Sequence, residues 1–508
     1  MMGAMVIELS RVNRGFASFR LAFWACVVAT LIAMAAATNA SAAPGDLDPT
    51  FSGDGLASAA FDDDSGASAV AVQPSGRIVV AGGRDDFDLA VFDSNGTPDT
   101  GFSGDGKLTT DFGYEDEGAN AVVIQPNGKV VAAGEAGPFF ALARYNADGT
   151  PDTSFGGGDG KVLTDFPETD FDVANALVLQ PNGKLIAAGI AWPDVDSPRR
   201  IALARYESDG SPDEGFGEDE TGLVVTSFPE SEDDVANAIL LRPNGKLVAV
   251  GTVHDPPNGI GRGEVGLVQY ESDGSLDEGF GGGDGMASAG SVTQATSAAL
   301  TPNGQIAVAG GFQSFLTDRF ASDGSVDAGY DGEGALFPGW HGEGRLAYGV
   351  AVQKDGRVIA AGTIQDENSG EVNYAVARYD TEGANDTSFG EDGMVTTDFE
   401  GSKNGARAIA LQPDGKIVVA GGSEEGFGVV RYEGDPPPPP PPPGQKSAGL
   451  GPPAPAADTG SGDEGKAHNS KARKRALRKC RKLKSKAARR KCVRKHTVHA
   501  GAGKSAVR

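Results

Sequence analysis

The residues of this chain that could do chemistry are mostly acidic, and they recur along its length. A D-x-x-[FY] motif occurs seven times, with its aspartates at 48, 99, 152, 213, 277, 327 and 386. Further acids recur in G-[DE]-G settings, and the candidate calcium ligands among them are Asp105, Asp159, Asp284 and Asp392. Calcium takes six to eight oxygens, several of them from carboxylates, on loops that glycine permits. EF-hand spacing is absent, so the alternative is that these acids cap turns and keep sheet edges soluble.

The supply of nucleophiles and zinc ligands is small. Residues 43–435 contain two histidines, His254 and His341, and no cysteine. This composition excludes a Cys/His zinc site there, and a Ser-His-Asp triad would need one of these two histidines. The GGGDG segments at 156–160 and 281–285 lack the lysine of a phosphate-binding loop. We therefore predict no catalytic residue.

These acids belong to a repeat. The phrase VVIQPNGKVVAAG at 122–134 returns as AVQPSGRIVVAGG at 71–83, VLQPNGKLIAAG at 178–189 and ALQPDGKIVVAGG at 410–422. The turn glycine of each copy gives the period: Gly76, Gly128, Gly183, Gly245, Gly304, Gly356 and Gly415, at intervals of 52 to 62 residues. Seven copies at this period predict a repeat architecture.

Each repeat contains four short strand-like runs, which in the second copy are 107–112, 120–125, 129–134 and 140–146. Pro-Asn-Gly between the second and third runs is typical of a tight hairpin whose glycine takes a positive φ. Seven four-stranded units predict an all-β, seven-bladed β-propeller. The last copy lacks an outer strand and the N-terminus has a spare one, GLASAAF at 55–61, so we expect this strand to complete the last blade.

The repeats resemble the delta-60 repeat β-propeller family. The residues that carry the resemblance are QPxGKIVVAG, the [AR]-[YF]-x-x-[DN]-G turn and LDxxFGGDG, over about 47–433. Thr301 and Arg242 replace the glutamine and Lys354 the proline in three copies. The resemblance implies a propeller of bacterial, mostly extracellular proteins and implies no catalytic residues. The D-x-x-[FY] aspartates could also pair with an arginine one strand earlier, joining blades at Arg144, Arg205, Arg378 and Arg431.

Variation among the repeats is confined to alternate links. The segments after the VVAAG strand and the links between repeats vary, and alternate links of a meander emerge on one side of the ring. These links are acidic, with a few exceptions that we predict to be binding residues: Trp192, Arg199, Arg200, His254, Trp340 and His341. The alternative is that they are solvated, tolerant loops.

The two ends differ from the middle. Arg11, Arg14 and Arg20 precede an apolar run at 21–37 and the small residues Ala40-Ser41-Ala42, which predicts a signal peptide over 1–42. A membrane anchor is the alternative, although the run is at the short limit for spanning. The propeller is expected over 43–435, a Pro/Gly/Ala-rich linker over 436–465 and a basic tail over 466–508.

Charge separates these segments into two poles. Residues 43–443 hold 66 acidic and 22 basic residues, about −44, whereas 444–508 hold 19 basic and three acidic, about +16. The tail is expected to be disordered or weakly helical and to bind polyanions, with anionic envelope polymers ranked above nucleic acid. The propeller's own acidic face is the runner-up partner. Cys480 and Cys492 could form a disulfide within a hairpin or between chains, and otherwise we expect a monomer.

Two function classes remain. The first is a secreted, non-catalytic binding or scaffold propeller, retained at the cell envelope by its tail, with an unknown extracellular ligand on the acidic loops and no cofactor unless calcium binds. The second is an extracellular propeller hydrolase or lyase that acts on carbohydrate through paired carboxylates. Spacing alone selects no particular pair.

Overall fold

The computed structural model describes residues 42–435, apart from 62–64, 195, 230, 232, 255–262, 290–293, 312–314, 331–345, 366–370 and 400–404, and holds 27 β-strands there and no helix. Residues 1–41, the linker, the tail with Cys480 and Cys492, and the pair Trp340 and His341 lie outside the described residues. Nowhere in the described part of the chain does a helix have the length and apolarity needed to cross a membrane.

The strands form seven antiparallel sheets, which we number as blades I to VII. Blades I and II contain β2 (Ala67–Val72), β3 (Ile78–Gly82), β4 (Phe87–Phe92) and β5 (Lys107–Thr110), then β6 (Glu117–Ile124), β7 (Val130–Ala136), β8 (Phe139–Tyr145) and β9 (Lys161–Thr164). Blades III and IV contain β10 (Phe171–Leu179), β11 (Leu185–Trp192), β12 (Arg200–Tyr206) and β13 (Leu223–Thr226), then β14 (Asp233–Leu241), β15 (Leu247–His254), β16 (Glu264–Tyr270) and β17 (Met286–Ala289).

Blades V to VII follow the same order. Blade V has β18 (Ala295–Leu300), β19 (Ile306–Gly310) and β20 (Leu316–Phe320), and blade VI has β21 (Leu346–Val352), β22 (Val358–Gln365), β23 (Val372–Tyr379) and β24 (Met394–Thr397). The fourth strand expected in blade V falls in 331–345, outside the described residues. Blade VII has β25 (Gly405–Leu411), β26 (Ile417–Ser423), β27 (Gly426–Tyr432) and, at its outer edge, β1 (Leu56–Ala60).

The N-terminal strand closes the ring as predicted. β1 pairs antiparallel with β27, from Leu56 opposite Val430 to Ala60 opposite Gly426. The first strand of every blade contacts the first strand of the next, and β25 contacts β2 in the same way. The seven first strands therefore surround the axis of a closed seven-bladed β-propeller.

The core lies between the blades. The second and third strands of each blade are largely buried: in blade I, β3 and β4 are buried at every residue. One cluster joins Val79 and Leu89 of blade I to Val130 and Ala141 of blade II, and comparable clusters join other neighbouring blades. Each buried valine or leucine contributes about 1.5–3 kcal/mol. A single blade cannot bury both of its faces, so this apolar energy drives closure.

Two positions of the repeated phrase require glycine, for different steric reasons. Gly128 has φ +84° and donates to the carbonyl of Gln125, which confirms the predicted hairpin. Gly134 lies where the neighbouring strand β6 bulges, and a Cβ there would stand 1.8 Å from the carbonyl oxygen of Gly118. Only glycine fits that position without moving backbone.

The D-x-x-[FY] motif joins neighbouring blades. Asp152 Oδ2 accepts hydrogen bonds from Arg144 Nε at 2.6 Å and from Lys129 Nζ at 2.7 Å. The Arg144 guanidinium lies 4.4 Å from the centroid of the Phe155 ring. Arg144 Nη1 also donates to the carbonyl of Ser208 in the next blade. We call this arrangement the staple: one carboxylate, two cations and one aromatic ring that together reach across a blade boundary.

The complete staple, with two cations on the aspartate, occurs in four of the seven blades, at Asp48, Asp152, Asp213 and Asp386, which confirms the predicted pairing at Arg144, Arg205, Arg378 and Arg431. The arginine–aspartate pairs of this kind are Arg431–Asp48, Arg144–Asp152, Arg205–Asp213, Arg319–Asp327 and Arg378–Asp386. In blade I, Val91 takes the place of the arginine, and Asp99 pairs with Arg77, the counterpart of Lys129. At Asp277 a glutamine, Gln269, takes the place of the arginine, and Lys246 supplies the cation. The hydrogen bond from Lys246, opposed by burial, lowers the pKa of Asp277 to about 2. Its contribution to stability is therefore present above about pH 4 and lost as the pH falls toward 2.

Two carboxylates that share one lysine provide a test of the staple. Lys184 Nζ lies 2.8 Å from Asp213 Oδ2 and 2.7 Å from Glu207 Oε1, and the side chain of Asp213 is 6% exposed whereas that of Glu207 is 42% exposed. We expect Asp213→Ala to lower the free energy of unfolding by about 3–5 kcal/mol, because it leaves the buried Arg205 uncompensated. The matched change Glu207→Ala should cost below about 1 kcal/mol. Denaturant unfolding of both variants measures this difference, and equal losses would refute the staple.

Candidate functional site

The two ends of the blades differ in what their links do. We call the end with the Q-P-x-G hairpins and the D-x-x-[FY] turns the stapled rim. The opposite end, formed by the links between second and third strands and the links between blades, is the variable rim. In a four-stranded meander alternate links lie at the same end, so the sequence variation gathers on the variable rim.

Two of the predicted binding residues meet on the variable rim at Asp233. Arg199 Nε lies 2.7 Å from Asp233 Oδ1, and Arg199 Nη2 also contacts this carboxylate. His254 Nδ1 lies 3.9 Å from Asp233 Oδ2. The hydrogen bond that Arg199 donates to Asp233 raises the pKa of Arg199. These contacts join blade III to blade IV. They do not test whether Arg199 and His254 bind a ligand, which stays a prediction.

Trp192 and Arg200 lie nearby in blade III. The indole Nε1 of Trp192 donates to the carbonyl of Ser197 at 2.9 Å, within its own loop. Arg200 begins β12, is half-buried, and its charge opposes the rise in the pKa of Asp172. The structure therefore places four of the six predicted binding residues at neighbouring blades, and the other two, Trp340 and His341, fall outside its described residues.

The four candidate calcium ligands are separate from one another. Asp105 lies in blade I, Asp159 in II, Asp284 in IV and Asp392 in VI, each in the turn before an outer strand. Oδ1 of Asp105, Asp159 and Asp284 accepts the backbone N–H two residues later at 3.0 Å. This is an Asx turn, the role that the alternative assigned to these acids.

A different set of acids comes together on the variable rim. Oxygens of Asp86, Asp111 and Glu117 lie within 4.8 Å of one another. Glu117 is almost fully buried, and its two oxygens accept the backbone N–H groups of Phe112 and Tyr114. Glu117 thus orders the link from blade I to blade II. The three acids come from separate segments, so spacing in the sequence could not reveal the cluster.

Beside this cluster lies an acidic groove at the seam where the N-terminal strand joins the ring. The seam groove has a volume of about 410 Å³. It is lined by Ala60, Phe61, Asp85, Asp86, Asp88, Asp105, Lys107, Leu108 and Thr109. Lys107 Nζ donates to the carbonyl of Ala60 at 2.9 Å and lies 5.8 Å from the Phe61 ring centroid. The equivalent lysine of blade II, Lys161, lies over the ring of Phe112 in the same way. The contact of Lys107 with Phe61 is therefore a repeated structural feature of the propeller.

Asp88 forms the inner wall of the seam groove. It is 2% exposed and accepts hydrogen bonds from Ser65 Oγ at 3.2 Å and from Thr109 Oγ1 at 2.6 Å. Asp85 is exposed and Asp86 is half-buried. Of the four carboxylates at the groove, Asp85, Asp86 and Asp105 are exposed or half-buried, and Asp88 is held by hydroxyl groups.

Several acids of the variable rim have a raised pKa, the property expected of a general acid. Burial raises the pKa of Asp172 to about 6 and raises the pKa of Asp234. Oδ2 of Asp172 accepts the backbone N–H of Phe166 at 2.9 Å, whereas its Oδ1 has no hydrogen-bond partner among the residues that the structure describes. Asp172 is completely buried, so a substrate cannot reach it. Glu135 is half-buried, and burial together with the charge of Asp116 raises its pKa.

Asp172 gives the stability of the propeller a pH dependence of defined sign. Its pKa is about 6 when folded against about 3.9 when unfolded, so stability is lost as the pH rises from 4 to 6. We expect Asp172→Asn to remove this loss, so that its unfolding free energy relative to the native chain increases by about 3 kcal/mol between pH 4 and 7.5. The exposed Asp170→Asn is the control. Thermal unfolding of both variants and the native chain at pH 4 and pH 7.5 measures this change in stability. An identical change in the stability of both variants would contradict the prediction.

Comparison with known proteins supports the propeller repeats. Six segments match the family model described as "Domain of unknown function (DUF5122) beta-propeller": residues 73–102, 125–155, 180–216, 242–280, 353–389 and 412–435. Five of these run from the first residue of the Q-P-x-G hairpin to the aromatic residue of D-x-x-[FY], so the matched unit carries one staple. No curated protein matches the chain.

Several solved structures are similar to this chain at low sequence identity. The WD40 β-propeller domain of Doa1 is 12% identical, with 75% of this chain and 97% of that chain covered and a TM-score of 0.42. Streptogramin B lyase is 11% identical, with 74% and 97% covered and a TM-score of 0.44. Chaetomium thermophilum Sqt1 is 13% identical, with 73% and 96% covered and a TM-score of 0.42. From its seven sheets and its matched repeats, the chain is a β-propeller repeat protein.

Proposed function

We propose that this protein is a secreted, non-catalytic binding propeller of the delta-60 repeat type. Residues 1–42 direct export, and the basic tail, 466–508, retains the protein at the cell envelope by binding anionic polymers. The protein acts as a monomer unless Cys480 or Cys492 pairs between chains. The ligand binds on the variable rim, and the observation that carries the proposal is the seam groove.

The lining of the seam groove favours a ligand with positively charged amino groups. Asp85 and Asp86 present carboxylates at its mouth, and Phe61 supplies an aromatic edge. A carboxylate binds an ammonium group through charge-assisted hydrogen bonds, which are about twice as strong as neutral ones. Asp85 and Asp86 lie on the variable rim, opposite the D-x-x-[FY] carboxylates that pair with arginine or lysine.

A pair of matched oligosaccharides tests the seam groove. We expect glucosamine oligomers to bind the full chain and N-acetylglucosamine oligomers, which lack the charge, to bind at least about tenfold more weakly. Asp86→Asn should weaken glucosamine binding, whereas Glu214→Gln, which removes a charge from the stapled rim, should not. Titration calorimetry measures both. Equal affinities for the two oligomers would exclude the groove as an amine site.

The same assay separates the groove from the tail. A chain that ends at Asp435 should keep glucosamine binding and lose sedimentation with isolated envelopes. Tighter glucosamine binding by the shortened chain would mean that the tail itself competes for the acidic rim, the runner-up partner. Sedimentation that does not depend on the tail would contradict retention by charge.

A carbohydrate hydrolase or lyase is the second candidate, and Glu135 is the observation that favours it. Burial and the neighbouring Asp116 raise the pKa of Glu135, as a general acid requires. Asp116 is exposed on the same rim. Screening the oligosaccharides for product release as well as binding distinguishes the candidates: release that Glu135→Gln abolishes would replace the binding proposal with an enzyme.

We propose that the propeller needs no calcium. Asp105, Asp159 and Asp284 are occupied as turn acceptors, and Glu117 accepts two backbone N–H groups. Millimolar calcium should therefore leave the melting temperature unchanged. An upward shift that Asp111→Asn removes would place a calcium site at Asp86, Asp111 and Glu117.

A further inference from the structure

The first strands of the seven blades share a backbone irregularity at the axis. In every blade the pairing of the first with the second strand shifts register by one residue at the same place, which is a β-bulge. The bulged residues are Ser68, Asn120, Asn175, Asn237, Thr296, Tyr348 and Arg407. A bulge redirects a side chain, and here it does so on the strands that surround the axis.

In four consecutive blades the bulged side chain joins its blade to the next. Asn120 Nδ2 donates to the carbonyl of Ala174 at 3.3 Å, and Asn175 Nδ2 donates to that of Ala236 at 2.9 Å. The series continues from Asn237 Nδ2 to Ala295 O at 2.7 Å and from Thr296 Oγ1 to Ala347 O at 2.6 Å. Each acceptor precedes the bulged residue of the following blade, so one hydrogen bond repeats across four blade boundaries.

The remaining three blades, VI, VII and I, break this pattern. Their bulged residues are Tyr348, Arg407 and Ser68, and the polar atoms of these side chains make no hydrogen bond or ion pair anywhere in the described part of the chain. The Arg407 guanidinium lies 5.2 Å from the Tyr348 ring centroid and is exposed. A phenol, a guanidinium and a hydroxyl therefore lie in consecutive blades around the axis with their donors unused.

We propose that this arc of the axial channel binds a small oxyanion, either a carboxylate or a phosphate group. Arg407 supplies the two parallel N–H donors that match a carboxylate or phosphate edge. The hydroxyl groups of Tyr348 and Ser68, in the blades on either side, supply further donors. The site is separate from the seam groove and takes ligands of the opposite charge, so it does not depend on the proposed function.

The contact between Arg407 and Tyr348 could also have a purely structural role. A cation on an aromatic face could replace the missing hydrogen bond and join blade VI to blade VII, with no ligand. That role predicts a loss of stability in an Arg407 variant and no change in anion binding. An oxyanion site predicts a loss of anion binding, whatever happens to stability.

The experiment uses the full chain with three probes: glucuronate, neutral glucose of nearly the same size, and inorganic phosphate. We expect glucuronate, phosphate or both to bind by ligand-observed NMR, and glucose not to bind. Binding of glucuronate alone identifies a carboxylate site, and binding of phosphate alone identifies a phosphate site. If neither anion binds, the proposal is wrong.

Variants then place the bound anion. Arg407→Ala should weaken binding at least about tenfold, and Arg407→Lys, which keeps the charge and loses the fork, should fall between it and the native chain. Arg84→Ala removes an exposed cation from the variable rim and should change nothing. Ser68→Ala should weaken binding a few-fold, and it serves if Arg407→Ala does not fold. Anion binding that none of the channel variants weakens would overturn the proposal, as would a loss of stability alone.

Discussion

The propeller depends on the ion pairs of its seven D-x-x-[FY] aspartates, and in four blades the carboxylate holds two cations at once. In the staple of blade II, Asp152 contacts Arg144 and Lys129, while Phe155 lies under the guanidinium and Arg144 reaches the carbonyl of Ser208 in the next blade. Apolar packing between blades supplies most of the stability, but it is not directional. The staple adds direction, because a carboxylate and a guanidinium bind in few orientations. We infer that burial closes the ring and that the staples set how far each blade is rotated against the next.

Much of the fold could be predicted because its determinants are local and repeated. The period, the Q-P-x-G turn and the spare strand at 55–61 are sufficient for a seven-bladed ring closed by its N-terminus, and the arginine–aspartate pairing follows from the same repetition. The lysine of QPNGK was missed as a staple member, since its place after a turn already had an explanation. Gly134 was missed for a different reason: its close contact with Gly118 arises from a bulge, which is a property of two paired strands and not of one.

The candidate sites were less predictable because they depend on contacts between distant segments. Asp86, Asp111 and Glu117 come from two links and the start of a strand, and the seam groove adds residues from the N-terminal strand. Arg199 was predicted as a rim residue, but its partner Asp233 lies in the next blade, 34 residues away. The acids that sequence did single out, such as Asp105, recur in the repeat because a turn needs them. Repetition thus identifies framework residues, and function is to be sought where repeats differ.

At the axis, seven equivalent backbone positions carry five different residue types, so the repeats differ there as well. At four of these positions the side chain makes the same hydrogen bond to the next blade. The ring closes without this hydrogen bond at the other three, so Tyr348, Arg407 and Ser68 are not needed for it. An arginine in a domain of about −44 would ordinarily pair with one of the abundant carboxylates, as Arg144 and Arg205 do. Five residues of extended strand, about 16 Å, separate Arg407 from Gln412 at the stapled rim. This exceeds the screening length of about 8 Å at physiological ionic strength, so the acids of that rim are largely screened from Arg407.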